Sequence, residues 1–369
     1  MCISAVERAL QEGGVPTRFL AAPLSEGARL LSELCPHGRA ALIYDEECPL
    51  AEEVRAALAP FRPACFRLDK GGAYTPLFAL DDTFRAAVGV GERSMAAARF
   101  FATVRGGASL LVPVRPSARG AFTKSAPSPC AGYPLRDADL FLAPPAVLFD
   151  CPQSRAEAAL SALCAEELRS DALFSGRERD ASPFDAAAEL ALGESGEEIL
   201  CASALAELAL RAAPPFASAL AFERLAAGEG MPAFALFSAF CARYCALSAG
   251  EPRPFFVPDY AGRIRAAARR FGVPERALYA RLRVPRAEES FALSRIFSEC
   301  RPALSRGAQL LEAYARKLSR LYFAAGGAAH RAARVAAEGA YALSAELSPL
   351  LSPPALEREL GMGTLPART

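Results

Sequence analysis

The first 150 residues alternate between short apolar runs and helical patterns. Ala40-Ala-Leu-Ile-Tyr44 ends at Asp45-Glu46-Glu47, and Ala64-Cys-Phe-Arg-Leu68 ends before Lys70-Gly-Gly72. Phe84-Arg-Ala-Ala-Val-Gly-Val-Gly91, Ala108-Ser-Leu-Leu-Val-Pro113 and Pro145-Ala-Val-Leu-Phe-Asp150 continue the series. Each run is strand-length and ends in Gly, Pro or Asp. Helical patterns lie between them at 24–34, 50–58 and 95–104. Such alternation predicts four or five strands of a mostly parallel, doubly wound sheet, whose ligands bind in loops at the carboxyl ends of the strands.

Beyond Pro152 the strand pattern disappears. Helical stretches are expected at about 154–174, 196–212, 216–229, 231–249, 259–271, 274–282, 286–300, 303–325 and 327–347, broken by clusters such as Pro214-Pro215 and Pro353-Pro354. The fold class is therefore a Rossmann-like α/β domain, residues 1–151, followed by an all-helical domain, residues 152–369. The run from Met231 to Ala242 falls short of a membrane span and reads as a core helix. The basic faces carrying Arg263, Arg265, Arg269 and Arg270, and Arg281, Arg283 and Arg286, read as solvated surface.

Bulk composition narrows the function by exclusion. A formal net charge of +1 gives no general attraction for nucleic acid or an anionic membrane. Eleven cysteines show no CxxC and no regular spacing, which suits a reducing, cytoplasmic setting. Cys241 and Cys245 share a helical face, but no His or further Cys lies near them, so buried thiols are the simpler reading than zinc. Glu7 and Arg8 interrupt the N-terminal stretch, and no signal peptide is expected.

Two loops hold the candidate chemistry. Gly89 and Gly91 end a strand just before a helix, where backbone must approach a diphosphate closely and a Cβ would obstruct it. A plain strand-to-helix turn uses the same Gly-x-Gly. Arg93, Arg115, Arg119 and Lys124 lie on this loop and the next, where they suit a phosphate, nucleotide or carboxylate. A solvated basic loop is the competing reading.

Val88-Gly-Val-Gly-Glu-Arg-Ser94, Val112-Pro-Val-Arg-Pro-Ser-Ala-Arg-Gly120, Pro145-Ala-Val-Leu-Phe-Asp150 and the strand ending in Asp45-Glu46 occur in a telling order. Together they resemble the glycerol-1-phosphate dehydrogenase branch of the iron-containing alcohol dehydrogenase and dehydroquinate synthase-like superfamily. The resemblance covers about residues 15–250. It implies NAD or NADP as cofactor, with Asp45, Gly89, Gly91, Ser94, Pro116 and Ser117 as its contacts, and Arg93, Arg115, Arg119 and Lys124 toward an anionic substrate.

The family's chemistry rests on one divalent metal held by an Asp and two His, and here the sequence departs from it. Only two histidines exist, His37 and His330, and both lie outside the ligand segments. The Asp segment corresponds to Leu163–Glu167, leaving Glu166 as a weak metal candidate. The first His segment aligns near Ala219–Glu223 and the second with Ala227-Gly228-Glu229, where Ala227 replaces the imidazole. The loop Asp is Arg119.

No metal is therefore expected. Metal-dependent hydride transfer loses the Lewis acid that would polarise the substrate hydroxyl. Two functions remain open. One is a divergent, non-catalytic pseudoenzyme that keeps a nucleotide or phosphate crevice. The other is an NAD(P)-dependent oxidoreductase on glycerol phosphate or a related polyol, with a metal site rebuilt from other carboxylates such as Asp171 or Glu223. A dehydroquinate synthase-type lyase needs the same metal and falls with the second. The expected partner is a small anionic ligand or nucleotide, and a homo-oligomer is left open.

Overall fold

In the computed structural model, residues 2–46, 48–68, 75–124, 133–225, 232–253, 259–280, 287–321 and 328–362 are described. The first unit carries a six-stranded, wholly parallel sheet in the order β1-β6-β5-β4-β2-β3. The strands are β1 (Arg18–Ala21), β2 (Arg39–Asp45), β3 (Ala64–Leu68), β4 (Phe84–Val90), β5 (Ala108–Val112) and β6 (Leu140–Ala143). Interleaved helices are α1 (Cys2–Glu12), α2 (Leu24–Leu34), α3 (Ala51–Ala57) and α4 (Glu92–Arg105). β5 and β6 are buried almost throughout, as expected where helices cover both faces of a parallel sheet. Phe19 and Phe141 sit opposite each other across β1 and β6, with rings stacked at 4.9 Å.

From β2 the chain steps one way to β3; from β4 it steps the other way to β5 and β6. The reversal lies between β2 and β4, so the loops after Asp45 and Val90 flank the crevice where such sheets bind ligands. α4 packs against β4 and buries Met95, Ala97, Ala98 and Phe101, and Gly89 on the strand lets the first turn of the helix approach closely. Gly106, at φ +68°, ends α4 in a left-handed cap.

The remaining helices are α5 (Pro152–Ala159), α6 (Ser161–Ser175), α7 (Ser182–Ala191), α8 (Gly196–Ala212), α9 (Ala217–Leu225), α10 (Pro232–Ala249), α11 (Tyr260–Phe271), α12 (Glu275–Tyr279), α13 (Ala287–Leu321), α14 (Ala328–Ser344) and α15 (Pro353–Glu359). Residues 159–188 and 213–369 form the second unit, whose described residues contain helices and no strand. Its centre is α10, which packs on α13, α14 and α15 and buries Phe237, Phe240 and Tyr244. Among the described residues α10 is the single helix with the length and apolarity to cross a membrane, and 61% of it is buried within the fold.

Several expectations need correction. Contacts do not divide the chain at 151: the first unit comprises residues 1–158 and 189–212. α8 packs on α1, and its Leu200, Cys201 and Ala204 join the core of the sheet unit. The strand placed at 145–150 is β6, a few residues earlier, because Pro144 and Pro145 lack the N–H a ladder needs. Pro145–Val147 is a 3₁₀ turn instead. Two elements at the start of the chain add to the expected set: β1, only four residues long, and α1, an amphipathic helix that buries Val6 and Leu10. The expected helix at 154–174 breaks at Leu160, whereas the expected pair at 286–300 and 303–325 is one helix, α13, with Pro302 inside it. Arg263 is buried rather than solvated, its Nε donating to Glu346 Oε1 at 2.6 Å. Arg281, Arg283 and Arg286 lie outside the described residues.

Candidate functional site

At the carboxyl end of the sheet, β4 turns into α4 through Gly91, whose φ of +100° an L side chain rarely adopts. Gly89 lies against the first turn of α4: a Cβ there would stand 2.7 Å from Met95 Cα and from the Ser94 carbonyl carbon. The turn therefore has the shape of an anion cradle, with the backbone N–H groups of a helix start behind it.

That cradle already holds an anion. Asp45, at the end of β2, accepts from the Ser94 backbone N–H at 3.1 Å and from the Ser94 hydroxyl at 2.6 Å. A Cβ on Gly91 would lie 2.8 Å from Asp45 Cγ. The carboxylate thus sits where the dipole of α4 favours negative charge, and it caps the helix from a neighbouring strand. Asp45→Ala is expected to lower stability by about 1–2 kcal/mol, while Asp45→Asn, which keeps an acceptor, stays near wild type. Thermal melts of the two variants check this; equal losses would argue against the cap.

Two of the basic residues, Arg115 and Arg119, meet the first turn of the same helix. Arg115 pairs with Glu92, in the first turn of α4, and with Glu157 Oε2 at 2.9 Å; its other guanidinium nitrogen donates to Ser154 Oγ at 3.2 Å. Arg119 stands 3.8 Å from Glu92. Burial works against the Arg115 charge, yet Glu92 and Glu157 more than offset it and hold the guanidinium protonated above its ordinary range. Burial pushes the Glu157 carboxyl up, against the pull of Arg115.

The loop after β5 folds back on itself. Pro116 and Ser117 are buried in this loop. Ser117 Oγ accepts from the Arg119 N–H at 3.2 Å, the Ala118 N–H donates to Ser203 Oγ at 2.9 Å, and the Gly120 N–H donates to Glu207 at 3.2 Å. Arg99 fixes the other side. Wholly buried, it donates to the carbonyls of Gly120, Thr123 and Arg136, and desolvation pulls its pKa down to about 10. Arg93 and Lys124 are exposed.

The structure therefore brings together Asp45, Gly91, Ser94, Arg115 and Arg119, but as an internally matched set. Arg115 does not point a free charge at a ligand, because Glu92 and Glu157 take it up. Glu92 was visible beside Gly91 in the sequence; Glu157, 42 positions from Arg115, gave no signal.

In the helical unit, the metal candidate Glu166 sits on α6 and is buried. One carboxylate oxygen pairs with Arg169, and the other accepts from the Tyr244 hydroxyl at 3.1 Å. Its neighbour Glu167 accepts from the backbone N–H groups of Ala217 and Ser218 at 2.9 and 2.8 Å, capping α9, while burial pushes its carboxyl up to about 7. Asp171 accepts from Arg179 Nε at 2.7 Å and from the Leu351 N–H at 3.1 Å. Both oxygens of each acid are engaged by protein groups, so a divalent cation would have to compete with an arginine, the Tyr244 hydroxyl or a backbone N–H for each of them. Among the described residues no group of three His, Cys, Asp or Glu side chains is arranged to hold a metal. Cys241 is buried and Cys245 donates to Glu312 at 3.3 Å. His37 is exposed in the turn before β2, and Ala227–Glu229 lie outside the described residues.

No family model and no curated protein matches the sequence. Solved structures do. A probable glycerol dehydrogenase from Sinorhizobium meliloti matches at 15% identity and a TM-score of 0.48, over 82% of this chain and 98% of that one. The substrate- and cofactor-free aldehyde reductase of E. coli matches at 12% identity and 0.48, over 96% and 98%. An iron-containing alcohol dehydrogenase from Thermotoga maritima matches at 13% identity and 0.45, over 89% and 98%.

Proposed function

We propose that this chain is a metal-free, non-catalytic derivative of the iron-containing alcohol dehydrogenase fold, of the glycerol-1-phosphate dehydrogenase-like branch, whose nucleotide cradle is held shut by its own Asp45. The observation that carries the reading is the Asp45 carboxylate on the N-terminus of α4. The backbone shape of Gly89–Ser94 suits a diphosphate; the charge does not while Asp45 and Glu92 are in place. A nucleotide entering there must displace one carboxylate and approach a second, both costly in a partly desolvated site. The acids of α6 support the same conclusion for a metal, since each would have to leave its partners.

Calorimetric titration of NAD, NADP and glycerol phosphate into the wild type and Asp45→Asn is the test, with reduced-nicotinamide absorbance followed in parallel. Removing the competing charge is expected to tighten nucleotide binding by about tenfold or more, the equivalent of roughly 1.4 kcal/mol. Neither protein should reduce the cofactor with glycerol phosphate, with or without added iron, zinc or nickel. Equal affinities would reject Asp45 as the gate. Cofactor reduction, or one metal per chain lost on Glu166→Ala, would reject the non-catalytic reading in favour of an oxidoreductase with a rebuilt site.

A further inference from the structure

A pocket of about 420 Å³ opens within the helical unit, lined by α6, α10 and α13. Its volume falls in the range of small-molecule sites, about 300–1,000 Å³. Ala303, Arg306, Gly307 and Leu310 recur at i, i+3, i+4 and i+7, so one face of α13 supplies one wall. Ala172 and Leu173 of α6 supply another, and Tyr244 of α10, stacked on Phe240, closes the inner end.

Gly307 makes the inner end possible. A Cβ at that position would come within 2.6 Å of Glu166 Oε2 and 2.7 Å of the Tyr244 ring. The polar groups beneath are already matched: Tyr244 donates to Glu166, Ser170 lies 3.3 Å from the Tyr244 hydroxyl, and Arg169 is shared between Glu166 and Asp185. The walls are mainly apolar. At the mouth stands Arg306, exposed and with no ion-pair partner among the described residues. An apolar chamber with one unmatched guanidinium at its mouth selects for a body that is hydrophobic and an end that is singly anionic. A cation would meet Arg306 at the mouth, and Arg169, already taken by Glu166 and Asp185, offers nothing to a second anionic group.

From the pocket's walls and the rim charge we infer that it binds a small monocarboxylate with a compact apolar body, its carboxylate on Arg306 and its body between Leu173, Ala303 and Leu310. This is independent of the cradle at α4, since every residue involved belongs to the helical unit.

Benzoate is a suitable probe, titrated into the full chain by calorimetry and ligand-observed NMR, with benzyl alcohol and benzylamine as its neutral and cationic counterparts. Benzoate is expected to bind at least about tenfold tighter than benzyl alcohol, because its carboxylate gains a charge-assisted contact. Benzylamine should not bind. Arg306→Gln changes an exposed residue, so it should leave the melting temperature unchanged and weaken benzoate by about tenfold. Ala303→Phe should fill the chamber and abolish binding. No benzoate binding at about 10 mM, far weaker than a typical ligand site, overturns the inference. Benzyl alcohol matching benzoate, or Arg306→Gln matching wild type, overturns it equally. Should Ala303→Phe fail to fold, Arg306→Gln alone decides.

Discussion

Alanine at position 89 is expected to destabilise the sheet unit by about 3 kcal/mol or more, near the upper end for overpacking a core. The added methyl would meet backbone, not a flexible side-chain end: Met95 Cα and the Ser94 carbonyl carbon both stand 2.7 Å away. Relief requires β4 and α4 to part, and that loosens the packing of the helix, with its buried Met95, Ala97 and Ala98, on the sheet. It would also move Ser94 away from Asp45. Gly106→Ala is the control. No atom lies within 4 Å of a Cβ there, so only the left-handed backbone at φ +68° opposes it. That costs about 1–2 kcal/mol. Denaturant melts of the two variants should separate by more than about 1 kcal/mol; parity would mean that α4 can slide on β4.

Arg99→Met is expected to cost more than about 3 kcal/mol, although methionine fills much of the same space. The guanidinium supplies hydrogen bonds to three carbonyls, those of Gly120, Thr123 and Arg136, and to the Thr123 hydroxyl at 3.2 Å. Without it, the carbonyls remain in a site that excludes water, each unpaired acceptor costing about 1–3 kcal/mol. Lysine preserves the charge but not the planar fork that spans those carbonyls, so Arg99→Lys should recover little of the loss. Because Arg99 ties down the loop carrying Arg115 and Arg119, faster amide exchange over 115–124 should accompany the loss of stability in both variants. Unchanged protection there would show that the loop is held from elsewhere.

Much of the sheet was legible in the sequence because its central strands are buried on both faces and read as unbroken apolar runs. β2, β4 and β5 are of this kind. The edge strand β1 is four residues long with Arg18 exposed, and nothing in its composition separates it from a loop. The site was legible by position but not by charge state. Gly89, Gly91 and Asp45 fall at strand ends that face the topological reversal, as their motifs suggest. That Asp45 reaches Ser94, 49 residues away, and that Arg115 is claimed by Glu157, depend on which loops the fold brings together. Arg263 is a case of the same limit. Its own helix is rich in arginine and looks solvated, while the acid that draws it inward, Glu346, lies 83 residues further on.

The return of α8 to the sheet unit bears on how the chain matures during synthesis. All six strands have been made by Ala143, yet the unit is not complete until Ala212. At about 5–20 residues per second that interval lasts several seconds. Throughout it the Ala118 and Gly120 amides lack Ser203 and Glu207, and the apolar face that Leu200, Cys201 and Ala204 will cover stays open. In the meantime the ribosome delivers residues 159–188, which belong to the other unit. The two units therefore mature as interleaved rather than successive events, and a nascent chain stalled between 143 and 196 would present a sticky, chaperone-dependent surface.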